Sequence, residues 1–139
     1  MKIIENCWDL IETYNCQYGA HVFDGVNAKI YVNHWLDVDG VLVNEFSRKN
    51  DAGFVGHCLL VFCGVRSFIF EVSMNVNEGD KIVWKDPIRF NYSGRTEGEI
   101  REYSFEGSLH GFPSSVTIRI EAKSFELHIL ERDEPAKEG

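Results

Sequence analysis

Positive charge is scarce in this chain: 14 Lys and Arg stand against 22 Asp and Glu in 139 residues, a formal charge of -8. Binding to a phosphate backbone is supplied mostly by clustered cations, so this balance argues against nucleic acid as the main partner. Long apolar runs are missing as well. The longest, Phe54 to Phe70, is interrupted by Gly56, His57, Gly64, Arg66 and Ser67, whereas a membrane helix needs about 20 mostly apolar residues. It reads as buried sheet. Behind Met1-Lys2-Ile3-Ile4 the chain turns polar at Glu5, Asn6 and Asp9, without the apolar core of a secretory signal. The expectation is a cytoplasmic protein with no membrane partner.

Cysteine is sparse and badly spaced for metal. Cys58 and Cys63 point to opposite faces of a regular strand, and Cys7 and Cys16 fall on opposite sides of a helix. With no Cys-x-x-Cys and no close His pair, neither a zinc site nor a disulfide framework is expected, and no cofactor is implied. Also absent are a Gly-x-Ser-x-Gly elbow, a phosphate-cradling glycine loop and a His-Glu-x-x-His motif. Small β-rich domains can assemble sites from scattered residues, so individual candidates are still weighed.

What is present is a core: 44% of residues are hydrophobic and 13% aromatic, with ten Phe. A chain of this length buries roughly two-thirds of its unfolded surface as one domain. Ile4, Cys7, Trp8, Ile11 and Tyr14 fall at helical spacing and predict a short N-terminal helix, although Trp8, Leu10 and Tyr14 also share strand parity. From Ala20 onward the pattern is alternation separated by turn dipeptides. Asp24-Gly25 and Asp39-Gly40 predict two-residue hairpin turns. The second would pair Leu36 with Val43 and His34 with Glu45. Phe68, Phe70, Val72, Met74 and Val76 form one strand face, Asn77 to Asp80 a turn, and Pro87 an edge or bulge. Gly107 suggests another bulge. Val116, Ile118, Ile120 and Ala122 alternate, then the parity switches to Phe125, Leu127 and Ile129, as across a closing hairpin or bulge near Lys123-Ser124. The expected fold is mostly β: an antiparallel β-sandwich or strongly curved sheet of about eight strands with a short N-terminal helix. It occupies residues 1–130, with a flexible acidic tail at 131–139.

Several side chains are candidates for chemistry. His34 facing Glu45 would make an acid-base pair, or simply a cross-strand polar pair. His21 and Asp24 straddle the first turn and are equally ordinary turn residues. Asp37-Val38-Asp39-Gly40 has the opening of a calcium loop without its later carboxylates, so a turn explains it better. His57 beside Cys58 suggests a thiol nucleophile, but strand neighbours face opposite ways. Lys81, Lys85, Arg89 and Arg95 interleave with Trp84, Phe90 and Tyr92, a mixture suited to single strands or sugars, or to a solvated face over buried rings. Trp35, Trp84 and Tyr92 are the candidate ligand aromatics. Glu97, Glu99, Glu102 and Glu106 are the candidate partner contact, with a solvated connection as the alternative.

Three stretches, His21-Val22-Phe23-Asp24-Gly25, Leu60 through Phe68 and Val116 through Ile129, resemble the layout of small β-rich immunity-type proteins that accompany contact-delivered or polymorphic bacterial toxins. The resemblance implies a non-catalytic protein that neutralises a partner by occluding it. An acidic surface suits a basic partner through steering and charge complementarity. A ligand-binding or carbohydrate-binding β-barrel or sandwich, and a small hydrolase built on His34 and Glu45, are the alternative expectations.

Overall fold

In a computed structural model that describes residues 1–136, twelve strands are joined by turns and two short 3-10 segments, with no α-helix among the described residues. The strands are β1 (Lys2–Glu5), β2 (Ile11–Glu12), β3 (Gln17–Phe23), β4 (Ala28–His34), β5 (Leu36–Val38), β6 (Arg48–Lys49), β7 (Phe54–Gly56), β8 (Cys58–Glu78), β9 (Lys81–Trp84), β10 (Ile88–Ser93), β11 (Arg101–Leu109) and β12 (Ser114–Ile129). Part of the expected tail, residues 137–139, lies outside the described residues.

The predicted N-terminal helix is not formed. Lys2–Glu5 instead pairs with Glu126–Ile129 of β12, and Asn6 turns the chain with a φ of 56°. Trp8, in the 3-10 turn Trp8–Leu10, then packs edge-on against Phe62, Tyr103, Phe105 and Phe125 at centroid distances of 5.8, 5.1, 5.2 and 5.0 Å. A free edge on β12 and an aromatic socket outweigh a local helical spacing too short to hold a helix alone.

The large sheet has eight strands in the order β1-β12-β11-β3-β4-β8-β10, with β9 paired to β8. β8 and β12 also pair with each other along nearly their whole lengths, so the path closes on itself around the core. The sheet is mixed, since β11 meets β3 in parallel at Ser108↔Gln17 and Leu109↔Tyr18. A second sheet of four strands runs β2-β5-β7-β6. Enclosed between these walls are Tyr18, Ile30, Leu60, Phe62, Phe68, Ile118, Ile120 and Leu127, all at 0% exposure.

The parity switch in β12 is a bulge within one continuous strand and not a hairpin. The β8–β12 register slips between Glu121 and Ala122, and Gly64 of β8 adopts a φ of 65° where the inward set moves from Phe62 to Val65 and Phe68. One glycine in the left-handed region lets both long strands bend there while their apolar sides stay inward. Gly107 makes no bulge either, pairing in register with Val116. A Cβ there would lie 2.5 Å from the Cys16 carbonyl oxygen and 2.5 Å from the Tyr18 ring, so glycine permits the close approach that joins β11 to β3.

Candidate functional site

The two predicted two-residue hairpin loops have different outcomes. Between β3 and β4 the hairpin forms with a longer loop, because Phe23 pairs with Ala28 and the Asp24 carboxylate accepts from the Val26 and Asn27 amides. Those two amide bonds hold its pKa below the usual carboxylate range. Asp24 does not bond His21, whose Nε2 lies 3.0 Å from the Tyr92 hydroxyl. After β5 no hairpin forms at all. The Asp39 carbonyl accepts the Leu42 amide at 2.8 Å, Val43–Glu45 winds into a 3-10 turn, and β5 pairs with β2 and β7.

His34 and Glu45 are therefore not partners. Glu45 ion-pairs with Lys2 on the surface, while the His34 ring contacts Trp35 and buries an Nδ1 that has no hydrogen-bond partner among the described residues. Burial, helped by the Arg48 charge, lowers the His34 pKa. An imidazole so placed and a carboxylate held elsewhere do not make the acid-base pair the hydrolase reading needs.

Trp35, Trp84 and Tyr92 occupy three separate surroundings. Trp35, with a φ of 69° at the corner between β4 and β5, contacts Phe54. Tyr92 belongs to a cluster with Phe68, Phe90, Phe23 and His21. Trp84 is 56% exposed opposite Asn75. Strand alternation also splits the basic-aromatic interleaving: Arg89 pairs opposite Glu71 on one face, while Phe90 and Tyr92 pair opposite Phe70 and Phe68 on the other. Lys85 and Arg89 are ion-paired with Glu78 and Glu71.

Glu97, Glu99, Glu102 and Glu106 are all exposed. Glu102 ion-pairs with Arg119 at 3.5 Å and accepts from the Ser104 hydroxyl. Glu97 and Glu99 lie on the connection from β10 to β11, and Glu99 shares a shallow cleft with Arg101 and Lys123. Glu106 lines a separate cleft of about 350 Å3 with Glu12, Tyr14 and Arg119. Among the described residues no hydrogen bond or ion pair holds the Glu97, Glu99 or Glu106 carboxylates.

The cysteines are thiols. Cys7, Cys16 and Cys58 are buried and Cys63 half-buried. Burial pushes the Cys16 thiol up to about 12 and the Cys58 thiol well above its ordinary value. Among the described residues no group of three His, Cys, Asp or Glu side chains is placed to hold a metal. No helix there is long and apolar enough to cross a membrane.

One surface feature escaped the sequence. β9 and β10 both pair with β8, as one long hairpin interrupted at Pro87, and β12 reaches along β8 only as far as Met74. The stretch Asn75–Trp84 consequently projects as a two-stranded arm. Ile82 is 69% exposed, Trp84 56% and Val76 39%. At its base the Asn75 amide donates to the Pro113 carbonyl, bringing in the turn that carries exposed Phe112. The alternation of Val76, Ile82 and Trp84 looks like ordinary buried sheet in a linear reading; only the early end of β12 strips the arm of its cover.

No protein-family model, curated protein or solved structure matches the chain.

Proposed function

We propose that the chain is a non-catalytic protein-interaction domain that neutralises a basic protein partner by occluding it. The observation that carries this reading is the uncovered arm at Asn75–Trp84. A two-stranded ribbon is marginal by itself in water, and apolar side chains on both of its faces gain stability by contact with another surface. β10 adds an unpaired edge, because it stands last in the sheet order. Beyond its end come Glu97 and Glu99, so the apolar arm and the acidic connection flank one edge strand. Exposed carboxylates that no hydrogen bond or ion pair holds among the described residues, on a chain of charge -8, suit a basic partner. This matches the role that the resemblance to immunity-type proteins implies, in the cytoplasm where a delivered toxin acts.

The test is titration calorimetry of the full chain with a basic protein encoded beside it. Trp84→Ala and Ile82→Ser are expected to weaken binding at least about tenfold, as loss of an interface anchor does. Replacing Glu97, Glu99 and Glu106 by Gln should flatten the salt dependence of association. Binding indifferent to all five changes, or saturable glycan binding with no protein partner, overturns the proposal.

A further inference from the structure

In this acidic chain one cleft is lined entirely by cations, a hydroxyl and an imidazole. It has a volume of about 270 Å3, and its walls are Ser47, Arg48, Lys49, His57 and Arg132. Among the described residues no carboxylate lines it. Like charges gathered without a counter-charge repel one another, and a site of this composition is relieved by a bound anion.

Four of the five wall residues, Ser47, Arg48, Lys49 and His57, are held by side-chain hydrogen bonds. His57, only 7% exposed and with a φ of 59°, is fixed through both ring nitrogens: Nε2 donates to the Glu131 carbonyl at 2.9 Å, so Nδ1 accepts from the Tyr31 hydroxyl at 2.8 Å. Arg48 Nη1 donates to the Asn33 carbonyl and side-chain oxygens at 2.9 and 3.0 Å. Among the described residues no hydrogen bond engages Nη2 or Nε of the same fork. The Ser47 hydroxyl donates to the Leu130 carbonyl, tying β6 to the end of β12. Lys49 Nζ is steadied by Asn44. Arg132 has no hydrogen bond or ion pair among the described residues. Glu134 binds the N-terminal ammonium at 3.1 Å and Glu131 faces it at 3.9 Å.

We propose that this cleft binds a phosphate group, held between the Arg48 and Arg132 guanidinium groups with Lys49 supplying a third charge. Two planar forks and an ammonium exceed what a single carboxylate requires and suit a dianion whose several oxygens accept at once. The cleft admits the phosphate with a small body attached, so inorganic phosphate and a phosphomonoester share the chemistry. The site lies on β6 and the chain after β12, and it requires neither the arm nor a protein partner.

The experiment is an amide NMR titration of the full chain with inorganic phosphate, and separately with O-phosphoserine, against chloride at matched ionic strength. Saturable shifts at Ser47, Arg48, Lys49 and Arg132 are expected, with affinity lowered about tenfold in Arg132→Gln. Arg95→Gln, removing an exposed cation elsewhere, should leave the affinity unchanged. Tighter binding of O-phosphoserine assigns the site to monoesters; equal or weaker binding assigns it to free phosphate. Should Arg132→Gln disturb the fold, as its spectrum would reveal, Lys49→Gln gives the same reading. Shifts that never saturate, that chloride reproduces, or that persist undiminished in Arg132→Gln and Lys49→Gln overturn the site.

Discussion

His21 lies flat on Phe70, the two rings 4.4 Å apart and 19° from parallel, and Phe68, Phe90 and Tyr92 surround the imidazole at centroid distances of 5.5, 5.0 and 5.7 Å. Burial in this aromatic box lowers the pKa of His21. Folding therefore favours the neutral ring, and below the ordinary imidazole pKa the unfolded chain binds the extra proton more readily. Stability is expected to be full above about pH 6.5 and to decline as pH falls through the interval down to the lowered folded value. Denaturant melts from pH 8 to pH 5 should show a smaller decline for His21→Phe than for the native chain, the remainder including His34, whose pKa is lowered too. Parallel profiles for the two proteins would contradict this.

Gly107 sits where β11 and β3 join to close the sheet. Gly107→Ala would force a Cβ to within 2.5 Å of the Cys16 carbonyl oxygen, a backbone atom that cannot swing aside. A loss of more than about 2 kcal/mol is expected in equilibrium unfolding. A change within about 0.5 kcal/mol would mean the junction yields easily.

Thiol reactivity should differ among the four cysteines. The thiolate is the reactive form, and burial holds Cys16 protonated with its pKa at about 12. Under native conditions at pH 8 the half-buried Cys63 should label first with a thiol reagent, Cys16 and Cys58 only on unfolding. Mass mapping of the labelled peptides checks the order, and early labelling of Cys58 would contradict its place in the core.

Ile82 and Trp84 make no contact that the core depends upon. Trp84→Ala and Ile82→Ser should shift unfolding free energy by no more than about 0.5 kcal/mol. Phe62→Ala, which removes a fully buried ring between Trp8, Phe105 and Phe125, should cost about 3–5 kcal/mol. Large destabilisation from the arm variants would assign those residues a structural role in place of partner contact.

Strand alternation was legible in the longest strands: Phe68, Phe70 and Val72, then Val116, Ile118 and Ile120, face the core as their spacing predicts. The Glu78-to-Lys81 turn and the interruption at Pro87 were equally readable, because both follow from local backbone chemistry. The His34–Glu45 pairing was not. It rested on a turn type for Asp39-Gly40, yet the Asp39 side chain caps the Val41 amide and β5 finds partners in β2 and β7. The cationic cleft was invisible for another reason, since its residues lie at 47–49, 57 and 132 and converge only in space.

By itself the sequence determined a mostly β chain, its acidic balance and the inward faces of its longest strands, because periodicity and composition are local quantities. Tertiary structure decided which edges pair, that β8 and β12 bend together at Gly64, that the first residues extend along β12, and that the Asn75–Trp84 arm stands uncovered. Those outcomes depend on which distant backbone offers hydrogen bonds and apolar cover, and no local pattern carries that information.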